Sequence, residues 1–414
     1  MRKISLISLF VVLSLVLCSC TKGGGSSIVI GPPPADGGSS TGGDGGNTGG
    51  GGDGDETGGG GTQAEDPTAD DTPVLCTDIG QTPIVLAYYT ENSSELPDVT
   101  LLTHINYAHG RFGDPSEGDG GIWIEKPEKM EKVLALKSKN PKLKVMLMIG
   151  GWGDKANGFS KMARDPEKRT LFCTSVKGLL DQYHLDGVDI DWEYPGGGPS
   201  SNDKSDQDAY NFNLVLKELR QTLGTSKIIS YASSATAGYV LWTGAMKYLD
   251  YVNVMTYDMG KPPYHNATLY RSGLTRTDGT SVEESVQKHA NSGVPLNRQV
   301  LGVPFYGHGK APYADDVKYN EMAAILAATS GEYAGKNKER WDDVAKVPYL
   351  TDVTGSTMYL GYDNARSVGY KGQFAVEKGM LGAMCWEYRH DDSNQTLLKA
   401  LVTAIYGKAS VIKE

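Results

Sequence analysis

Asp186-Gly187-Val188-Asp189-Ile190-Asp191-Trp192-Glu193 is the stretch on which the reading of this chain turns. Acidic and bulky apolar residues alternate from Val188 onward, and in a strand residues two apart share a face. Asp189, Asp191 and Glu193 therefore stack on one side, while Val188, Ile190 and Trp192 face the other way. Three carboxylates so close cannot all ionise cheaply: the innermost should hold or share a proton, and the outermost should have a raised pKa suited to donating one near neutral pH. A calcium loop would instead spread its carboxylates along a Gly-punctuated turn. The bulky apolar residues between these acids argue for an acid-catalytic strand and against a metal site, and no cofactor is expected.

Outward from this strand, short apolar runs alternate with longer amphipathic stretches. Strands are expected at Ile84–Tyr89, His104–Ala108, Lys144–Ile149, Gly187–Asp191, Ile228–Ala232, Tyr251–Thr256, Val300–Pro304 and Gly382–Trp386. Helical patterns such as Pro127–Lys139, Asp165–Tyr183, Ser205–Leu223 and Val282–Ser292 fall between them. Eight such units predict an α/β fold, a (β/α)8 TIM barrel with its active site at the carboxyl ends of the strands. The seventh and eighth strands lie too far apart for a plain loop, which predicts a small α+β insertion over about residues 310–372 on the catalytic rim. The barrel domain as a whole is expected at 76–410.

The 414 residues carry 40 Lys+Arg against 50 Asp+Glu, a net charge of −10 that argues against nucleic acid as a partner. Much of that charge lies in residues 21–75, where nine acids face only Lys22, and 19 of the 53 glycines fall between positions 23 and 61. This composition predicts a disordered tether, roughly 40 Å in root-mean-square span. Residues 1–20 read as an export signal: Arg2 and Lys3, an apolar run from Ile4 to Leu17, then Leu17-Cys18-Ser19-Cys20. The ending resembles a bacterial lipobox with Cys20 as the lipidated residue, so the expectation is an exported lipoprotein held at a membrane, at the outer membrane or cell surface, and acting as a monomer. Cys76, Cys173 and Cys385 are too scattered for a disulfide scaffold and read as small hydrophobes.

Asp-x-x-Asp-x-Asp-x-Glu at 186–193 resembles the signature of the family 18 glycoside hydrolases, chitinases in particular, over about residues 82–405. KVMLMIGGWG at 144–153, Met255-Thr256-Tyr257-Asp258, Gly302-Val303-Pro304-Phe305-Tyr306-Gly307 and Gly382–Glu387 resemble that family's third, sixth, seventh and eighth strands. Tyr362-Asp363-Asn364-Ala365-Arg366-Ser367 resembles the end of the insertion in its deep-cleft subgroup. The resemblance implies hydrolysis of β-1,4 bonds between N-acetylglucosamine residues with retention, the substrate's 2-acetamido oxygen acting as nucleophile, an exception to the two-carboxylate scheme. Glu193 would be the acid and then the base, Asp191 would orient the acetamido N–H, Asp189 would share a proton with Asp191, and Tyr257 would hold the acetamido oxygen. Trp386 would floor the site, Trp152 would form a platform on the leaving-group side, and Asp258, Tyr306 and Met255 would line the cleft, with Arg389 as a weaker candidate. Tyr88 would support the buried aspartate. Trp123, Trp242 and Trp341 carry no assigned role, Trp192 reads as core, and His265 reads as part of a rim loop. The implied partners are chitin or N-acetylglucosamine oligosaccharides; the same acid strand would also serve an endo-β-N-acetylglucosaminidase acting on N-glycans, or a chitin-binding lectin that has lost turnover. Met148 stands where the family usually has a serine that bonds the innermost aspartate, which predicts a less polar pocket around Asp189.

Overall fold

The computed structural model describes residues 66–199 and 203–412; the export signal, Cys20 and most of the expected tether lie outside them. Eight parallel strands form the core: Ile84–Thr90, His104–Phe112, Lys144–Gly151, Gly187–Trp192, Ile228–Ser234, Tyr251–Met255, Gln299–Pro304 and Gly382–Trp386. Each pairs with the next, and the eighth pairs with the first (Ala87 beside Cys385), so the sheet closes into a barrel. The expected strands are all present, most of them longer by one to four residues. The four expected helices occur as Pro127–Leu134, continued by the 3-10 turn Ala135–Ser138, and as Pro166–Gln182, Asp208–Leu223 and Val282–Asn291. Asp165 caps the second of these through the amides of Glu167 and Lys168, and Ser281 and Glu284 form a capping box at the last.

The amino end of the barrel is pinned by a buried ion pair. Asp250 accepts Arg220 Nη2 at 2.7 Å, the Ile229 amide at 2.7 Å and the Cys76 amide at 2.6 Å, and both charged side chains are buried. Arg220 spends its other donors on the carbonyls of Tyr248, Gly224 and Lys227, so neither charge is left uncompensated. Cys173 and Cys385 are buried free thiols and Cys76 is a half-buried one.

The insertion is a five-stranded antiparallel sheet of Tyr306–Gly309, Asp316–Lys318, Asn337–Asp342, Val347–Asp352 and Met358–Gly361, with the helix Tyr319–Ala327. Tyr313, Val317, Met322, Leu350, Leu360 and Tyr362 make a core of its own. Its strands therefore span 306–361, for an insertion expected at about 310–372. Tyr306–Gly309 already pairs with insertion strands, and Asn364 caps the helix Ala365–Glu377, which buries Val368 and Phe374 against the barrel. The fully buried Lys371–Asp363 pair, at 2.6 and 2.7 Å, fixes the chain where it re-enters the barrel.

The tether boundary also moves. Residues 66–75, tether-like by composition, are held against the barrel. Asp66 accepts the Gly244 amide at 2.7 Å and Asn213 Nδ2 at 3.0 Å, Asp71 pairs with Lys217 at 2.8 Å and with the Tyr248 hydroxyl, and the Val74 amide donates to the Lys247 carbonyl at 2.8 Å. Gly244 permits this docking, since a Cβ there would lie 1.9 Å from Thr68 Oγ1 and 2.3 Å from Asp66 Oδ1. Gly244→Val should therefore detach the arm and lower stability by about 1–3 kcal/mol, seen as a lower urea midpoint and new proteolytic cleavage ahead of Cys76; an unchanged midpoint and cleavage pattern would show that the arm contributes nothing.

Candidate active site

The fourth strand delivers its carboxylates as the alternation requires. Asp189, Asp191 and Glu193 point into the barrel mouth and are 0%, 3% and 8% exposed. Trp192 packs outward, stacked on Phe159 with ring centres 5.3 Å apart and edge-on to Phe212. Gly150 on the third strand lets the two strands close up here, because a Cβ would lie 2.2 Å from the Asp191 carbonyl oxygen.

Each carboxylate has a different environment. Asp189 accepts Ser230 Oγ at 2.6 Å, Tyr88 Oη at 2.7 Å and Asn253 Nδ2 at 3.0 Å. Burial pushes its pKa up to about 6, with these donors holding it back. The less polar pocket expected from Met148 is therefore not found: Met148 is buried beside Asp189, but Ser230 on the fifth strand and Asn253 on the sixth supply hydrogen bonds from the other side. Asp191 is raised well above the usual carboxylate range by burial and then by the charges of Glu193 and Asp189. Its Oδ1 has no hydrogen-bond partner among the described residues. Glu193 is pushed up to about 7, first by burial and also by the charge of Asp258, against the opposing pull of the Tyr194 hydroxyl and Lys155. Protons are thus shared along a file whose outermost member titrates near neutrality, as the alternation predicts.

The other expected residues converge on the same cleft, a cavity of about 930 Å³ whose wall includes Tyr88, Trp152, Met255, Tyr257, Asp258, Tyr306 and Trp386. Tyr257 follows the sixth strand; burial raises its pKa well above the usual phenol value, so its hydroxyl keeps its proton. Asp258 is held in the left-handed region (φ 58°), where its Oδ1 accepts Tyr306 Oη at 2.6 Å and faces His308 Nε2 at 2.7 Å. Trp386 lies half-buried against Tyr88, ring centres 5.3 Å apart. Trp152 is 61% exposed and meets the edge of Tyr194 at 6.4 Å. A tall apolar face above buried acids suits a pyranose, whose C–H groups pack on flat rings.

Arg389 is not part of this wall. The 3-10 turn Tyr388–His390 turns its guanidinium onto Glu387 at 2.5 Å and places His390 in the cleft instead. His265 is buried and binds Asp342 of the insertion at 3.0 Å, tying the rim loop to the added sheet. Sequence reasoning passed over Ser230, Asn253, Tyr194, Tyr239, His109, His308 and His390. Ser230 and Asn253 carry the one available signal, single polar residues at the middle of otherwise apolar strands.

A closed parallel barrel with a file of proton-sharing carboxylates under an aromatic-walled cleft has the layout of a glycoside hydrolase. Residues 84–391 match the family described as glycosyl hydrolases family 18, and the chain belongs to it. It is 31% identical to Chitinase A1 of Niallia circulans over 404 residues, covering 78% of this chain and 57% of that protein. Over 339 residues it is 28% identical to an endochitinase of Manduca sexta, covering 71% of this chain and 59% of that one. The chain thus spans less than two thirds of the length of these relatives. Among solved structures it resembles the Group IV chitinase of Ostrinia furnacalis (27% identity, TM-score 0.68, 78% of this chain and 99% of that one). It also resembles a family 18 N-acetylglucosaminidase of Paenibacillus barengoltzii (28%, TM-score 0.67, 78% and 99%).

An acid that must be protonated to act loses activity as pH rises through its pKa, so kcat/KM on a glycosidic substrate should fall across the region of pH 7. Because the Asp258 charge raises Glu193, Asp258→Asn should move this alkaline limb to lower pH. A limb that stays in place or moves up in the pH–rate profile would contradict that coupling.

Proposed function

We propose that the chain is a chitinase that cleaves β-1,4 bonds between N-acetylglucosamine residues by a retaining, substrate-assisted reaction. The observation that carries this reading is the pairing of Glu193, titrating near 7, with the buried and highly raised Asp191. Glu193 gives its proton to the glycosidic oxygen as the acetamido oxygen of the same sugar attacks the anomeric carbon. The bond to the leaving sugar breaks and an oxazolinium ion forms. Asp191 accepts the acetamido N–H, its free Oδ1 being available for that bond; the proton it shares passes to Asp189 as positive charge develops on the ring, which favours the negative charge left on Asp191. The Tyr257 hydroxyl, kept protonated by burial, donates to the acetamido oxygen. Glu193, now ionised, takes a proton from water, which opens the oxazolinium with overall retention. Trp386 supports the distorted sugar and Trp152 the leaving sugar.

Names of related proteins support the substrate class, since both curated relatives are chitinases. An endo-β-N-acetylglucosaminidase would use the same file on the N,N′-diacetylchitobiose core of N-glycans, and a lectin would bind without cleaving. Product analysis of the full-length chain on chitin oligosaccharides and a high-mannose glycoprotein separates the three. Release of N-acetylglucosamine dimers, reduced about 10²- to 10⁴-fold in Glu193→Gln, is the expected result; glycan release without chitin cleavage, or binding without either, would replace the reading.

The leader and the Leu-x-Ser-Cys ending support export and lipidation at Cys20, with the Gly-rich segment carrying the catalytic domain out from a membrane at the cell surface or outer membrane. Labelled palmitate should enter the wild-type chain and be lost in Cys20→Ala; incorporation that persists in the variant would contradict this anchor.

A further inference from the structure

His109 is unused by the reaction above, yet the fold takes care over it. The second strand pairs with the third in regular register up to Ala108 beside Met148, and then slips so that Gly110 lies beside Ile149. His109 is the extra residue of this bulge, a device that re-aims a side chain at the rim of a barrel. The imidazole is 2% exposed and belongs to the wall of the cleft. Its Nδ1 lies 2.9 Å from Glu91 Oε2; burial raises the Glu91 pKa, but this hydrogen bond, the attraction of the ring and of Lys155, and a backbone hydrogen bond together draw it down to about 2. Glu91 is therefore a carboxylate that can only accept, so Nδ1 carries a hydrogen and Nε2 is the ring nitrogen left for another partner.

That Nε2 has no partner among the described residues. It borders Gly151, the residue before Trp152: a Cβ built at Gly151 would stand 3.6 Å from His109 Nε2 and 3.1 Å from Lys155 Cδ. Gly151 has a φ of +125°, so no other residue sits there without strain. Nε2 thus borders a residue without a side chain, next in sequence to the exposed Trp152, and Lys155 lines the same cleft. A buried polar atom left unpaired costs about as much as a lost hydrogen bond, and here the unpaired atom belongs to a residue of the same cleft wall as Trp152.

We infer that His109, held through Nδ1 by Glu91, is a substrate-binding residue whose Nε2 hydrogen-bonds a hydroxyl of the sugar on the leaving-group side. The Glu91–His109 pair thereby sets a preference for leaving groups that bear hydroxyls beside the Trp152 platform. This rests on the glycosidase reading given above.

The experiment compares two substrates on the full-length chain: the N-acetylglucosamine tetramer, and a nitrophenyl glycoside of the dimer, whose leaving group bears no sugar hydroxyl. His109→Phe should raise KM for the tetramer about five- to tenfold while kcat holds within about twofold, the mark of a contact made equally in ground and transition states. KM for the nitrophenyl substrate should not change. His109→Gln, whose amide reaches the same place, should recover most of the loss, and Glu91→Gln, which loosens the hold on the ring, should fall between. An unchanged KM for the tetramer, or an equal rise on both substrates, would overturn the inference. Should the wild-type chain cleave neither substrate, the glycosidase reading fails separately, and calorimetric binding of the tetramer decides for His109: weaker binding by His109→Phe upholds it, while equal binding, or none by either chain, overturns it.

Discussion

Three carboxylates on one face of one strand repel each other, and the site is organised around that repulsion. Asp189 is buried deepest and is surrounded by Ser230, Tyr88 and Asn253, so it bears charge more easily than its position suggests. Asp191 stands between two acids with a free oxygen and is the costliest place for a charge. Glu193 is left to titrate near 7. A like-charge array that would be a liability in an ordinary core becomes a proton store, because the barrel excludes water around it and supplies donors to its two ends while an oxygen of Asp191 between them has none.

The barrel makes this possible by placing the strand. Closure between the first and eighth strands brings Tyr88 and Trp386 to the acid file, and the return of the seventh strand brings Tyr306 and His308 to Asp258. The insertion begins at Tyr306, inside the segment that supplies these contacts, so the added sheet and the partners of Asp258, the charge that tunes Glu193, are built from one piece of chain. Lys371 and Asp363 then anchor the far end of that piece in the barrel wall.

What could be read from the sequence was what local spacing encodes. A period of two put Asp189, Asp191 and Glu193 on one face without knowledge of the fold, and the eight apolar runs marked the barrel. The helix boundaries within the insertion were less legible, because Ala365–Glu377 is capped by Asn364 and belongs to the barrel although it follows directly on insertion strands. Residues 66–75 have the composition of a tether, and their order comes from partners such as Asn213 and Gly244 more than 140 positions away, as the separations of 147 and 178 show. Met148 illustrates a different limit: one substitution suggested a stripped aspartate, but the compensating donors sit on two other strands. His109 left no trace in spacing at all, since its direction is set by a register slip against the third strand.

The account stands on the claim that burial and neighbouring charge hold a proton on Glu193 near neutral pH. The most direct measurement is a carbon-13 NMR titration of the Glu193 side-chain carboxyl in the selectively labelled protein, assigned by its loss in Glu193→Gln. A midpoint near 7, with a second inflection shared with Asp191 because the two sites titrate as a pair, is the result expected from this structure. A single midpoint close to 4.5, the ordinary value for glutamate, would mean that the carboxylate file does not act as a proton store and would contradict the account.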